Sequence, residues 1–149
     1  MSDVADLTAT LRAALVAARK SQSKDRTLVL STILANLKNR ELELNRAAAD
    51  VDVVDVLRKG IKLRREALEQ YARAGRQDLA DAESVQIRVL EEFLPAEADP
   101  AEIRAAVREA IAGGARDIGK VMGAVLPRFK GRADGKSVNQ IAREELAAG

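Results

Sequence analysis

Tyr71, Phe93 and Phe129 are the whole aromatic complement of this 149-residue chain, which has no Trp. Any core must therefore be assembled from Ala, Leu, Val and Ile. Hydrophobic residues make up 47% of the sequence and charged residues 32%, which supplies enough apolar side chain for a core and differs from the composition of a disordered chain. Gly and Pro are few, at nine and three, while Ala, Leu, Arg and Glu are abundant, a balance that favours helix over strand. The expected fold class is all-α, at a length that suits one domain or one domain with a small appendage.

The chain contains neither Cys nor His. Disulfides, a thiolate nucleophile, an imidazole base and a Cys/His zinc site are all excluded, and a hydrolytic triad in its usual form goes with them. No catalytic residue, metal ligand or cofactor is assigned. Met1-Ser2-Asp3-Val4 lacks the basic and apolar regions of a signal peptide, and no segment approaches the roughly 20 apolar residues of a membrane span, so the expected location is the cytoplasm. A net charge of +2 with no His gives an isoelectric point near 9.1, a slight bias toward an acidic partner.

Helical spacing of apolar residues organises the chain. Val4, Leu7, Leu11 and Leu15 predict a first helix, ended by the polar break Ser21-Gln22-Ser23. Leu30, Ile33, Leu34, Leu37 and Leu44 predict a long second helix with Asp25 near its start. Asp50 or Asp52 opens a third, with Leu57, Ile61, Leu68 and Tyr71 on one face and Gly75 just past its end. A fourth runs from about Gln77 to Phe93. Pro95 and Pro100 then bracket a break in periodicity. Beyond it, Asp99-Pro100-Ala101-Glu102 places an N-cap, a Pro at the first helical position and a Glu at the third, ahead of Ile103, Val107, Ala110 and Ile111. Gly113-Gly114 stops this helix. Ile118 to Phe129 predicts the next, closed by Pro127 and Gly131, and Val138, Ile141, Ala142 and Leu146 define the last, with Asp134 as N-cap. The expected organisation is an N-terminal helical bundle or set of hairpins of about four helices over residues 1–94, a Pro-bounded linker at 95–100 and a small three-helix domain over 101–149. Three short helices in about 50 residues are marginal alone, so the last part needs tight packing or a partner. The linker is expected to let it pivot.

Five stretches bear on function. Gly131-Arg132-Ala133-Asp134-Gly135-Lys136-Ser137 ends like a phosphate-binding loop, but the glycine spacing is one residue short, no strand precedes it and Asp134 puts negative charge where phosphate would sit. A capped turn between helices is expected instead. Gly119 and Gly123, four apart around Met122, make a smooth face either for close helix packing or for a partner. Arg58, Lys62 and Arg65, with Glu66 and Glu69 four residues beyond the last two, read as a solvated face, and Arg12, Arg19, Lys20, Lys24 and Arg26 as a basic cluster at the first turn. The strongest asymmetry lies between 116 and 136: Arg116, Lys120, Arg128, Lys130, Arg132 and Lys136 against Asp117 and Asp134. Such a patch binds nucleic-acid phosphates by releasing counterions, and without an aromatic platform it reads backbone and shape, not bases. Lys120, Arg128, Lys130, Arg132 and Lys136 are the candidate RNA-binding residues.

Gly119-Lys120-Val121-Met122-Gly123, then Lys130 to Lys136, then Val138-Asn139 resemble the signature of the GatB/YqeY family. Residues 68–79 and Glu91-Glu92-Phe93-Leu94-Pro95 resemble its remaining motifs, in the order of a stand-alone YqeY-like protein, so the resemblance spans the chain. Gly135 stands where amidotransferase tails commonly carry Pro, as in stand-alone members. The resemblance implies a helical N-terminal subdomain followed by a small three-helix domain similar to the tail of the B subunit of the tRNA-dependent amidotransferase, also found fused to some glutaminyl-tRNA synthetases. There it is a tRNA-contacting appendage, and the carbon–nitrogen ligase chemistry with glutamine as amido donor belongs to domains this chain lacks. The expected function is a non-catalytic tRNA-binding accessory module, the alternative a protein–protein adaptor docking on a synthetase or amidotransferase subunit.

Overall fold

The computed structural model describes residues 6–149, all helix and connecting turn, in two compact units that divide between Leu94 and Pro95. Val4, the first position of the expected first helical face, and the other residues before Asp6 lie outside the described residues.

Four helices build the N-terminal unit: α1 (Leu7–Lys20), α2 (Lys24–Leu44), α3 (Asp50–Arg73) and α4 (Gln77–Glu91). Asp6 caps α1 by accepting the Ala9 N–H at 3.1 Å. The second helix begins at Lys24, so Asp25 sits in its first turn, where a carboxylate faces the positive end of the helix dipole. Its last residue hands over to Asn45 in the left-handed region, φ 57°, a conformation Asn tolerates because its side chain is short and polar. Gly75, at φ 75°, plays the same part after α3, and Arg76 N–H closes back on Tyr71 O at 2.8 Å.

The start of α3 anchors three pieces of chain. Asp50 Oδ1 accepts the Leu7 N–H from α1 at 2.9 Å. Asp52, only 6% exposed, accepts the Ala49 N–H at 2.8 Å and the Arg46 guanidinium at 2.8 Å. The Arg46 hydrogen bond, then the Ala49 N–H, hold the Asp52 carboxyl below its ordinary range.

The core of this unit is aliphatic: Leu11, Val29, Leu30, Ile33, Leu37, Val53, Leu57, Ile61, Ile87 and Leu90 are buried, and Phe93 only edges against them. Short side chains fill such a core only where they pack without gaps, and at Gly60 the absent Cβ lets Ile33 of α2 and Leu90 of α4 reach the α3 backbone. A Cβ there would lie 2.8 Å from Ile33 Cδ1 and 3.2 Å from Arg64 Nη1.

The C-terminal unit contains α5 (Pro100–Ala112), α6 (Ile118–Val125), a 3-10 turn (Leu126–Phe129) and α7 (Gly135–Ala148). The sequence predicted one helix from Ile118 to Phe129. The structure tightens it to 3-10 at Leu126 because Pro127 has no N–H to continue the α-helical ladder and its ring crowds the preceding turn. Ile103, Val107, Val121, Val125, Phe129, Val138 and Ile141 form its core.

Residues 95–100, read as a linker, are partly absorbed into this unit. Pro100 opens α5, Ala98 is buried in the core, and its N–H donates to the Arg132 carbonyl at 2.8 Å.

Two glycines test this packing in opposite directions. Gly60→Leu is expected to destabilise the protein by roughly 1–3 kcal/mol, the usual cost of overpacking. Gly123→Ala, where a Cβ meets nothing within 4 Å, is expected to stabilise by up to about 1 kcal/mol through helix propensity. Urea unfolding of both variants measures each change.

Candidate nucleic-acid interface

Three aspartates fix the turns on which the basic residues ride. Asp99 accepts the Ala101 N–H at 2.9 Å, Asp117 the Lys120 N–H at 2.9 Å, and Asp134 the Ser137 N–H at 2.6 Å. The last two are the acidic residues of the 116–136 segment, so both of its carboxylates serve as helix N-caps. Asp134 thereby fills the head of α7, the place a phosphate-binding loop would leave for its ligand.

The five candidate residues separate into two groups. Lys120 is the third residue of α6 and Lys136 the second of α7, and both are exposed, as is Lys130 between the 3-10 turn and α7. Among the described residues none of these three lysines has an ion-pair partner. Positions in the first helical turn add the positive end of the helix dipole to the charge of Lys120 and Lys136. Arg116, also exposed, continues the same chain segment.

The two arginines are engaged internally. Arg128 donates to Glu109 Oε2 at 3.2 Å, an exposed pair of the weak surface kind. Arg132 makes a two-pronged contact with Glu102, both bonds 3.1 Å, and donates from Nε to Ala96 O at 3.4 Å. With its carbonyl taken by Ala98 N–H, Arg132 fastens the 96–98 segment and the first turn of α5 to the turn before α7. The Arg132 hydrogen bond also holds the Glu102 carboxyl below its ordinary value of 4.5. Glu102 and Glu109, seven apart on α5, were the missed signal: that spacing places two carboxylates on one helical face, available to basic residues beyond α6.

Charge on the α5–α7 side is neutralised pairwise. Arg104 bridges Glu144 at 2.7 Å and Glu145 at 2.6 Å, and Arg108 also pairs with Glu145. The Arg108 and then the Arg104 hydrogen bonds depress the Glu145 carboxyl. Arg143 of α7 donates only to the neutral Asn139 Oδ1 at 2.7 Å, and the rest of the positive charge without an ion pair among the described residues of this unit lies in the 116–136 segment.

The glycine face behaves differently from the close-packing alternative. Gly119 and Gly123 are exposed; a Cβ at Gly123 would meet no atom within 4 Å, and one at Gly119 only the capping Asp117 Oδ1 at 3.3 Å. Val121 and Val125 turn α6 into the core, with Met122 half-buried beside them, which rotates both glycines to solvent. Elsewhere, Arg65 of α3 reaches across to Glu91 of α4 at 3.0 Å instead of pairing with Glu69 on its own helix, and Arg26 of the first-turn cluster pairs with Glu92 at 2.7 Å. Among the described residues there is no group of His, Cys, Asp or Glu arranged to hold a metal, and no helix is long and apolar enough to cross a membrane.

A family model described as "Yqey-like protein" matches residues 8–146. An uncharacterized protein of Schizosaccharomyces pombe is 37% identical over 94 residues, covering 63% of this chain and 76% of its own length. A protein of Pyrenophora tritici-repentis named "Altered inheritance of mitochondria protein 41, mitochondrial" is 30% identical over 145 residues, covering 93% of this chain and 80% of its own.

Arg132→Ala is expected to lower the melting temperature at neutral pH by more than Arg128→Ala does, because only the former releases a bidentate pair and a backbone contact. Glu102 has a folded pKa below its unfolded one, so its contribution is complete above about pH 4.5 and fades as pH falls through the folded value. The gap between wild type and Arg132→Ala should therefore narrow below that pH, as read by circular dichroism melts.

Proposed function

The chain belongs to the YqeY-like protein family, and on that footing we propose that it is a non-catalytic accessory module that binds tRNA through phosphate contacts from Lys120, Lys130 and Lys136, with Arg128 at their flank. The observation that carries this reading is the fate of the acidic residues: Asp117 and Asp134 are consumed as helix caps while the three lysines stay exposed without ion pairs among the described residues. Arg132, first grouped with them, is reassigned to holding the unit together. Phe129 is 3% exposed and offers no stacking surface, so recognition would rest on backbone geometry, not on bases.

No reaction step is assigned to the chain. The ligase chemistry of the larger amidotransferases would stay in their other domains. The proposed compartment is the cytoplasm; the same role would serve equally in the mitochondrial setting that the Pyrenophora relative's name carries.

Titrating tRNA at increasing salt tests the reading. Log affinity should fall linearly with log salt, and a Lys120→Ala/Lys130→Ala/Lys136→Ala triple variant should reduce the magnitude of the slope by roughly 2–3, about one unit per lost phosphate contact. A triple variant that binds tRNA like wild type would refute the assignment.

The open glycine face favours a second reading, an adaptor that docks α6 on a synthetase or amidotransferase subunit. Gly123→Leu adds bulk into open space and should leave the fold intact. Loss of binding to such a subunit with tRNA affinity unchanged would favour the adaptor.

A further inference from the structure

The N-terminal unit carries a groove of about 710 Å³ between α2 and α3, with Glu83 and Gln86 of α4 in its wall. Its charged lining is balanced: Arg40, Lys59 and Arg64 against Glu43, Asp55 and Glu83. A polyanion such as RNA gains nothing from such a lining, whereas a ligand that is neutral overall and carries both signs of charge suits it.

Only Arg40 and Glu43 pair with each other among these described groups; Lys59 and Asp55 are exposed, whereas Arg64 and Glu83 are half-buried without an ionic hydrogen-bond partner. Arg64 is half-buried, yet its bonds go to neutral oxygens, Gly60 O at 3.0 Å and Gln86 Oε1 at 2.9 Å. Burial pulls its pKa down, opposed by the charge of Glu83. Glu83 has one carboxylate oxygen buried with no hydrogen-bond partner among the described residues. The two side chains sense each other's charge but form no salt bridge. An acceptor is wanted at one and a donor at the other, and charge-assisted bonds at both would be stronger than the neutral contacts now present.

We propose that this groove binds a free α-amino acid, its carboxylate on Arg64 and its ammonium group on Glu83. An α-amino acid holds its two charges a short fixed distance apart, and its net charge of zero matches the balanced lining. Leu63, 55% exposed, lines the groove together with Val56 and Ala67, a strip that favours an aliphatic side chain. The site lies within the N-terminal unit and does not depend on RNA binding.

Titration of the full chain with leucine, N-acetyl-leucine and leucinamide, followed by backbone amide NMR, tests it. Leucine should shift amides of the groove residues in a saturable way, and each analogue, having lost one charge, should bind about tenfold or more weakly. Glu83→Gln should weaken leucine by a similar factor and leave N-acetyl-leucine unchanged. Should that variant fail to fold, the two analogues decide the matter on the wild-type chain. No groove shifts with any of the twenty standard amino acids at millimolar concentration, or equal binding of leucine and its analogues, would overturn the proposal. Because the measurement contains no RNA, its failure leaves the tRNA reading untouched, and the converse holds.

Discussion

The missing side chain at Gly60, which lets side chains from α2 and α4 reach the α3 backbone, is the constraint around which the N-terminal unit is arranged. A core of Leu, Ile and Val has no large rings to span gaps, so helices must come near enough for small side chains to interlock. The missing Cβ at Gly60 admits the Ile33 side chain from α2 on one side and lets the Arg64 guanidinium fold back over the α3 backbone on the other. The same residue thus sets both the depth of the core and the position of a half-buried cation above it. Packing and chemistry in this unit are one problem solved at one glycine.

In the C-terminal unit hydrogen bonding has the corresponding role. Its helices are short, and each begins with an aspartate that takes a backbone N–H. Arg132 then joins the chain entering α5 to the turn entering α7. A unit this small gains little from burial alone, so fixed turns make up part of the difference. A consequence is electrostatic. The carboxylates of the basic segment are spent on caps, and those of α5 and α7 on arginines, which leaves Lys120, Lys130 and Lys136, with Arg116 and Arg143, as exposed charges without an ion pair among the described residues.

Much of this was legible in the sequence where a single local rule decides the outcome. Periodicity gave seven helices, and seven α-helices are present among the described residues; Asp134 and the Asp99-Pro100 pair marked true helix starts. Local rules failed where a distant partner competed. Arg132 looked like its basic neighbours until Glu102, thirty residues away, claimed it. Arg65 likewise prefers Glu91 to the glutamate one turn along its own helix. Arg64 and Glu83 carried no signal at all, because neither stands in a motif and their juxtaposition exists only once α3 and α4 are side by side. The glycine pair on α6 was ambiguous by spacing alone; the valines that claim the buried face decide its orientation.

Pairing also explains why the two units offer different chemistry despite a chain that is nearly neutral overall. Opposite charges lining the α2–α3 groove cancel at a distance while acting separately on a ligand within hydrogen-bond reach, so that site would discriminate by local complementarity and attract little from afar. The lysines of the 116–136 segment work the other way. In the proposed role they would exert an unbalanced field that draws a polyanion from solution, but without aromatic platforms they would have little means of telling one base from another. Selectivity among RNAs would then have to come from the spacing of those lysines, which the aspartate caps and the Arg132 clasp hold fixed.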